Sequence, residues 1–296
     1  MSSVRLGLLD IGYRESGAAV KDSLNATIQR AVLAESLGYT RYWLGEHHAM
    51  TDTWGQPQIP IALAANATRK IRIGSGSVLL RAYNPLHVAN DYALLSSSFE
   101  WRIDLGIGGG LPRTYAQLIH PQEPASVDYE RKVRELLALL DGSIEPGVFE
   151  ANHVVPSVHA FPLVWLTGTS LSSALLAASL GLPYAYSIFH SDDVNLDALA
   201  AYRAKFTPSP RLDRPFVMVA AAGTCARTAQ KARDTAEEMH GKVFMYPRVI
   251  GDGNQCAAGL RQISEATKAD EMMYLDIAPA PEQRMEATLL LNALIG

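Results

Sequence analysis

The sequence is poor in cysteine and in charge. Its 296 residues include two cysteines, Cys225 and Cys256, and neither belongs to a Cys-x-x-Cys pair. This argues against a disulfide scaffold or a metal site and is compatible with a reducing compartment, so we expect a cytoplasmic protein. Charged residues make up 19% of the chain and the net charge is −4, which gives no electrostatic footprint for nucleic acid.

Long apolar runs are also missing. No window approaches the uninterrupted apolar length that a membrane span needs, and the apolar run near the N-terminus is too short for a signal peptide. Apolar residues nevertheless make up 48% of the chain, enough for a sizeable buried core. We therefore expect a soluble globular protein with no membrane partner.

Short apolar runs alternate with amphipathic stretches from end to end, which is typical of a parallel α/β protein. The predicted strands are Arg5–Leu9, Arg41–Leu44, Ile71–Leu79, Arg102–Ile107, Leu163–Leu166, Pro183–Ser187, Phe216–Ala222 and Met272–Asp276. The predicted helices are Val20–Leu37 (closed by Gly38), Gln58–Thr68, one that begins at Asn84 and Pro85, Ser126–Leu140, one that ends at Gly181, Val194–Lys205, Cys225–Met239 and Pro281–Leu294.

Eight strand–helix units predict a (β/α)8 barrel that spans residues 1–296 as a single domain. A doubly wound open sheet is the alternative, because periodicity cannot distinguish a closed ring of strands from an open one. The segment Asp141–Phe161 breaks the rhythm with scattered proline and glycine and predicts a hairpin or a lid.

In barrel enzymes the reacting groups follow the carboxyl ends of strands, and Glu46, His47 and His48 directly follow the second strand. Neighbouring residues of an extended segment point to opposite sides, so one histidine is expected in the barrel mouth and the other toward the loop. A hydrogen-bonded loop and a catalytic role explain this segment about equally well. Adjacent histidines are poor metal-ligand spacing.

Glycines cluster in the third and fourth strands. Gly74 and Gly76 interrupt a β-rich run, which indicates a bulge, a close approach to a ligand or simple barrel packing. Gly108, Gly109 and Gly110 end the fourth strand and would let backbone N–H groups approach a ligand. The string GIGGGL is a weak dinucleotide-binding signal, because no ribose-binding acid follows on a convincing strand.

Hydroxyl side chains crowd the start of the helix after the fifth strand. They belong to Thr169, Ser170, Ser172 and Ser173. The free N–H groups and positive dipole end of a helix start, together with several hydroxyls, favour a phosphate site. Ordinary capping is the competing interpretation, and it needs one hydroxyl rather than four.

Four segments together resemble the luciferase-like monooxygenase family: WLGEHHAM, IRIGSGSVLLRAYNPLHVANDYALL, WRIDLGIGGGLP and GTSLSSALLAASLGLPYAYS. They occur in the family's order and cover roughly Arg5 to Ser187. The resemblance thins toward the C-terminus, where TKADEMMYL is similar to the family's last-strand motif. It implies a TIM-like barrel that binds reduced FMN or, as in related branches, the deazaflavin F420.

The resemblance also implies roles for individual residues. His47 matches the histidine that assists flavin–oxygen chemistry in luciferases. Gly76–Ser77 matches a non-proline cis peptide behind the isoalloxazine ring, and Ser187 matches a backbone contact to the ring edge. The positions that match the family's phosphate-binding residues are Thr169, Ser170 and Ser173.

Four departures from the family pattern stand out. Gly109 occupies the place where the family often carries an arginine for the flavin phosphate, and Gly108 occupies the place of luciferase's reactive cysteine. SSSFEWR replaces the glycine-rich turn before the fourth strand, and the chain is shorter than typical members between the seventh and eighth strands. These departures argue against light emission.

The sequence is therefore interpreted as a flavin-dependent monooxygenase that receives reduced FMN from a separate reductase and uses O2 to oxygenate a small organic substrate. His47 would act as acid or base near neutral pH, and Glu46 would orient it or pair with a basic residue. The alternatives are F420-dependent hydride transfer and a non-catalytic flavin-binding barrel. Family resemblance and alanine-rich helices at Gln58–Thr68 and Pro85–Ser97 predict a homodimer.

Overall fold

Strands and helices alternate along the chain in the computed structural model, which describes residues 4–14, 17–48, 54–110, 129–142, 154, 161–192, 196–243 and 245–294. The strands in these ranges are β1 Leu6–Asp10, β2 Arg41–Leu44, β3 Arg72–Leu79, β4 Ile103–Gly108, β5 Leu163–Gly168, β6 Tyr184–Ser187, β7 Val217–Ala226, β8 Val249–Asp252 and β9 Glu271–Asp276. The α-helices there are α1 Val20–Ser36, α2 Gln58–Ala67, α3 Pro85–Ser98, α4 Tyr129–Asp141, α5 Leu171–Ser179, α6 Asp197–Lys205, α7 Ala229–Met239, α8 Gly253–Thr267 and α9 Pro281–Leu290. Short 3-10 turns span Leu80–Ala82 and Leu291–Leu294.

Eight of these strands form a closed parallel barrel. They pair in chain order from β1 to β7, and β9 lies between β7 and β1 and closes the ring. An open doubly wound sheet would leave two of the eight with an unpaired edge. The predicted (β/α)8 barrel is confirmed.

β8 lies outside the ring and was not predicted. It pairs in parallel with Gly223–Ala226, the extended end of β7, and α8 follows it directly. The predicted helix start at Cys225 was wrong, because Cys225 belongs to this extension and α7 begins at Ala229. Gly223 and Ala226, at the two ends of this extension, are of residue types depleted in strands, so pairing with β8 decides the conformation here.

Two predicted helix boundaries, the start of α3 and the end of α1, are confirmed. The side chain of Asn84 accepts a hydrogen bond from Leu86 N at 2.9 Å, with Pro85 as the first helical residue. Gly38 follows α1 with a φ of +84°, a conformation that side-chain-bearing residues disfavour. The predicted lid Asp141–Phe161 lies mostly outside the described residues, as do the helix starts predicted at Ser126 and Val194.

Strand residues alternate between two apolar layers. Leu6 and Leu8 of β1 face outward into the layer between barrel and helices, whereas Leu9 joins the layer inside the ring. Trp43 and Trp165 meet edge to face inside the ring, with centroids 5.4 Å apart. Within the described ranges, the helices are too short or too polar to cross a membrane.

A buried ionic cluster plugs the amino-terminal end of the barrel. Arg41 donates to Glu271 Oε1 at 2.9 Å and to Asp104 Oδ2 at 2.6 Å. Asp104 also accepts from Arg72 Nε at 2.8 Å and from Trp43 Nε1 at 3.0 Å. Because Arg41 and Glu271 begin their strands, the cluster lies at the end opposite to the strands' carboxyl ends.

Candidate active site

A cavity of about 870 Å³ opens at the carboxyl ends of the barrel strands. This size lies within the range of small-molecule sites. Ten of the residues singled out from the sequence, those assigned to catalysis or to flavin binding, line it: Glu46, His47, Gly76, Ser77, Gly108, Gly109, Thr169, Ser170, Ser173 and Ser187. Their convergence follows from the parallel ring, which brings the ends of distant strands to one mouth.

Glu46 is buried and serves the loop around it. Its carboxylate accepts hydrogen bonds from Leu79 N and from the Tyr83 hydroxyl, each at 2.9 Å, and it pairs with His48 Nε2. Of the two roles expected for Glu46, the structure shows the pairing with a basic residue, which is His48. The carboxylate also joins the loop after β2 to the end of β3.

The two histidines have different surroundings, but both line the cavity, so the expectation that only one of them enters the barrel mouth is not met. His48 is held by Glu46 and lies beside Gly55 of the following loop. Burial and, to a smaller extent, the neighbouring imidazoles of His190 and His48 lower the pKa of His47 to about 4. Titration of His47 near neutral pH was therefore a wrong expectation, and its ring is neutral at pH 7.

The wall formed by β3 is bulged where the sequence placed a functional glycine. The pairing with β4 shifts register between Ser75 and Val78, and the Gly76–Ser77 peptide bond is cis, as predicted. A Cβ on Gly76 would lie 2.8 Å from Cε3 of Trp43. Gly74 has the plain packing role, since its Cβ would lie 2.3 Å from the Asp104 carbonyl oxygen.

At the end of β4, Gly108 and Gly109 leave the adjacent cavity wall without side chains. A Cβ on Gly108 would lie 2.5 Å from the Ser77 hydroxyl. A Cβ on Gly109 would lie 3.2 Å from the ring of Tyr129, whose hydroxyl donates to Ile107 O at 3.2 Å. Tyr129 thus occupies the space beside Gly109 that a larger side chain would need.

The start of α5 combines capping with an exposed group of hydroxyls. Ser170 and Ser173 form a reciprocal capping box, so capping explains two of the four hydroxyls rather than one. The hydroxyl of Ser173 also contacts that of Tyr184 at 2.9 Å. Thr169 and Ser172 line the cavity beside them. This edge of the cavity is rich in donors and carries the positive end of the helix dipole.

The inner part of the cavity is apolar. Leu9, Trp43, Met218 and Met273 supply side chains from four barrel strands, and Ser187 lies at the end of β6. A site with donors at one edge and an apolar interior suits an elongated ligand with a planar apolar part and an anionic end. The residues present therefore fit a phosphorylated flavin, with its phosphate at α5.

Sequence reasoning missed several lining residues. Arg81 and Tyr129 face the cavity from the turn after β3 and from α4, and Phe189 and His190 follow β6. An arginine directly after a strand that ends at the mouth was a usable signal for Arg81. Nothing in the local sequence indicated Tyr129, since its place depends on how α4 packs across the mouth.

A sequence profile described as luciferase-like monooxygenase matches residues 7–295. The chain belongs to the luciferase-like monooxygenase family. A luciferase-like monooxygenase of Escherichia coli (strain K12) is 34% identical over 224 residues, which cover 73% of this chain and 65% of that protein. The N-acetyl-S-alkylcysteine monooxygenase of Bacillus subtilis (strain 168) is 31% identical over 270 residues, covering 89% and 79% of the two chains. The oxygenase component of a flavin-dependent trigonelline monooxygenase from Acinetobacter baylyi is 23% identical, covering 79% and 69%.

Solved structures of other proteins share the architecture. Apo-MsnO8 superposes with a TM-score of 0.87 at 32% identity over 98% of each chain. The oxygenating constituent of 3,6-diketocamphane monooxygenase from Pseudomonas putida, solved with FMN, has a TM-score of 0.74 at 18% identity, over 99% and 98% of the chains. The F420-dependent tetrahydromethanopterin reductase of Methanopyrus kandleri has a TM-score of 0.71 at 13% identity over 99% of each. At these low identities the last two show the fold alone.

Proposed function

We propose that this luciferase-like protein is a flavin-dependent monooxygenase that binds reduced FMN and oxygenates a small organic substrate with O2. The observation that carries the proposal is the single cavity at the barrel mouth, which joins a hydroxyl-rich helix start to an apolar interior and a neutral imidazole. The monooxygenase names of two relatives support it. The term oxygenase component in one of them supports a separate reductase as the source of reduced FMN.

Different parts of the cavity would hold different parts of the cofactor. Thr169, Ser170 and Ser173 would bind the phosphate together with the N–H groups at the start of α5. The wall at Gly76–Ser77 and the end of β6 at Ser187 would support the ring system. Gly108 and Gly109, at and just after the end of β4, have no side chains, so the backbone there could approach the cofactor closely.

Reduced FMN would supply the two electrons with which one oxygen atom enters the substrate and the other leaves as water. The chain's own contribution is position, polarity and exclusion of water. His47 is neutral at pH 7, so it would enter the reaction in its base form and would accept a proton at a ring nitrogen, although a pKa of about 4 makes it a weak base. Glu46 is a positioning residue, because its carboxylate holds His48 and the end of β3 rather than facing a reacting atom.

Cofactor binding and turnover test this proposal directly. Purified protein is titrated with FMN, reduced FMN and F420. Oxidation of reduced FMN by O2 is then followed with native protein and with heat-denatured protein, because free reduced flavin also reacts with O2. Binding of reduced FMN with protein-dependent oxidation supports the proposal. Hydride transfer with reduced F420 and no use of O2 would replace it with a dehydrogenase, and binding without either reaction would indicate a non-catalytic barrel.

Substitutions separate chemistry from binding. His47→Ala should lower turnover about 10²- to 10⁴-fold at saturating reduced FMN while changing flavin affinity little, because a proton transfer is lost. Ser170→Ala with Ser173→Ala should do the opposite, weakening flavin binding and sparing turnover once the site is saturated. Normal turnover of His47→Ala at saturation would show that His47 is a structural loop residue.

We further propose that the protein acts in the cytoplasm as a homodimer. The helices α2 and α3 expose Ile59, Leu63 and Leu94, with 62%, 40% and 56% of their surfaces accessible. Gln58 Nε2 donates to Asp91 Oδ2 at 3.5 Å, which joins α2 to α3. The three apolar side chains therefore lie on neighbouring helices. Such a surface on a sparsely charged pair of helices suits a subunit interface.

A further inference from the structure

We propose that the side of the cavity lined by β7, β9 and β1 is the substrate site, and that it takes an uncharged organic molecule with a polar group that bonds to His190. The inference rests on the proposed function and names the class of its substrate. The three strands are neighbours in the ring, since β9 pairs with both β7 and β1. Their cavity-lining residues, together with Met245 before β8, are called the apolar sector: Leu9, Met218, Ala220, Met245, Met273 and Leu275.

The residues assigned to the cofactor and to proton transfer occupy the rest of the ring. Glu46 and His47 follow β2, and the candidate flavin-binding residues lie on or directly after β3, β4, β5 and β6 or at the start of α5. None of the assigned residues belongs to β7, β9 or β1. The part of the cavity that a flavin held in this way leaves for a substrate is therefore the apolar sector.

The apolar sector disfavours charged groups. All six side chains belong to the apolar layer inside the ring, and none is more than 8% exposed. Within the described lining of the cavity, the acids and the arginine (Glu46, Arg81 and Glu130) come from the segments after β2 and β3 and from α4. An ionised ligand group in the apolar sector would lose its water without gaining a partner of opposite charge. The sector therefore selects an uncharged ligand.

Methionine makes up half of the apolar sector. The three methionines come from β7, from the segment before β8 and from β9. Their flexible, polarisable side chains can repack around ligands of irregular shape. The sector thus discriminates by charge more sharply than by outline.

His190 supplies a polar group at the edge of the apolar sector. It follows β6, the strand next to β7, and lines the cavity, where part of its surface is accessible. Its imidazole lies against the ring of Phe189, with centroids 4.4 Å apart, and Phe189 belongs to the same inner layer as the sector. Partial desolvation lowers the pKa of His190 below its usual value, so the ring is neutral at pH 7. A neutral imidazole offers one N–H donor and one acceptor to a ligand.

The backbone that carries His190 is fixed on both sides by Arg248. The guanidinium donates from Nε to Ile188 O and from Nη2 to Asp192 O, each at 2.9 Å. Arg248 is itself tied to β7, because its N–H donates to Ala222 O at 2.7 Å. A fixed backbone reduces the conformational freedom that a side chain loses when it engages a ligand. The imidazole is therefore held beside β7, where it can bond to a polar group of a substrate in the sector.

The test uses three ligands that share one carbon skeleton. Benzylacetone is a neutral ketone, hydrocinnamate replaces its acetyl group by a carboxylate, and butylbenzene lacks the oxygen. Dissociation constants are measured by isothermal titration calorimetry on the protein alone and on the protein saturated with FMN. We expect benzylacetone to bind at least about 10-fold more tightly than hydrocinnamate, because the carboxylate must give up its water.

Substitutions test the role of His190. His190→Leu should weaken binding of benzylacetone about 3- to 10-fold, because one hydrogen bond is lost, and should leave butylbenzene within about 2-fold of the wild type. Retained butylbenzene binding also shows that the variant is folded. His190→Gln keeps a donor and an acceptor and should restore most of the affinity for benzylacetone. The matched control His240→Leu changes an exposed histidine at the C-terminal end of α7 and should match the wild type.

The outcomes separate this inference from the proposed function. Hydrocinnamate binding as tightly as benzylacetone would overturn the uncharged class, and equal losses of benzylacetone and butylbenzene in His190→Leu would overturn the role of His190. A wild type that binds neither neutral ligand would overturn the substrate site. These three results leave the flavin proposal standing, since flavin binding is titrated separately. Failure of the wild type to bind FMN or reduced FMN would overturn the proposed function, and with it the assignment of the sector to a substrate.

Discussion

At the scale of single residues, burial keeps the imidazole of His47 neutral at pH 7. His47 sits in the cavity wall with its pKa lowered to about 4, whereas His48 is paired with a buried carboxylate. The two are adjacent in sequence and belong to the same residue type, yet their surroundings differ. A neutral imidazole at pH 7 is ready to accept a proton without first losing one.

The lowered pKa of His47 predicts a pH dependence of stability. The imidazole titrates near 6.5 in the unfolded chain and at about 4 in the folded one, so the unfolded chain binds the extra proton between these values. Stability from this group is full above pH 6.5 and is lost as the pH falls toward 4. Urea unfolding of the wild type should therefore lose more free energy across this window than that of His47→Gln. Parallel curves for the two proteins would contradict the lowered pKa.

At the scale of secondary-structure elements, buried polar groups join neighbouring strands. Asp104 of β4 binds Arg41 of β2 and Arg72 of β3 in the ionic cluster at the amino-terminal end of the barrel. Removing one member of such a cluster leaves a buried charge without compensation, which costs more than the pair adds when it is intact.

Asp104→Asn should accordingly lower the free energy of unfolding by about 3–5 kcal/mol. The matched control is Glu135→Gln, which removes an exposed ion pair with Arg131 on α4 and should cost less than about 1 kcal/mol. Denaturant unfolding measures both. Similar losses in the two variants would mean that the cluster is as well solvated as a surface pair.

The attachment of β8 to β7 depends on close backbone contact. A Cβ on Gly223 would lie 1.8 Å from the carbonyl oxygen of Val249, so Gly223→Ala must displace β8 and should cost about 1–3 kcal/mol. Gly259 lies inside α8, and its Cβ would make an ordinary 3.6 Å contact with the side chain of Val249. Gly259→Ala should therefore stabilise the protein by about 1 kcal/mol. Opposite shifts in unfolding midpoint are expected, and shifts of the same sign would be inconsistent with the contact.

At the scale of the whole molecule, the residues that stabilise the barrel and the residues of the candidate site lie at opposite ends of the strands. The ionic cluster fills the amino-terminal end, whereas the carboxyl ends of the strands surround the cavity. Loops and helix starts can therefore differ between family members without disturbing the ring. This arrangement explains how one fold can accommodate the distinct activities named for its relatives.

The proposed homodimer can be tested by placing charges in its proposed interface on α2 and α3. Ile59→Glu combined with Leu94→Glu should shift the protein from dimer to monomer, because charges are costly to bury in an apolar interface. Leu289→Glu changes a leucine on α9 that is 54% exposed and serves as the control. Sedimentation velocity at micromolar concentration reads out the result. A monomeric wild type, or a dimer that survives the double substitution, would exclude this interface.

Sequence alone determined the order of the barrel strands and the region of the site, whereas closure of the ring was shown by the structure. Alternating apolar runs and helix signals predicted the eight barrel strands, because these patterns depend on which faces of local elements are buried. Since parallel strands end at one mouth, motifs far apart in the chain were expected to meet there, and the ten candidate residues do line one cavity.

Only the tertiary structure decided how the side chains are paired and charged. Glu46 pairs with His48, the pKa of His47 falls well below neutrality, and Arg81 lies over the Tyr129 ring. The same holds for β8, whose strand conformation depends on its neighbour. Desolvation, ion pairing and strand pairing depend on residues that are distant in sequence, so local sequence patterns do not predict them.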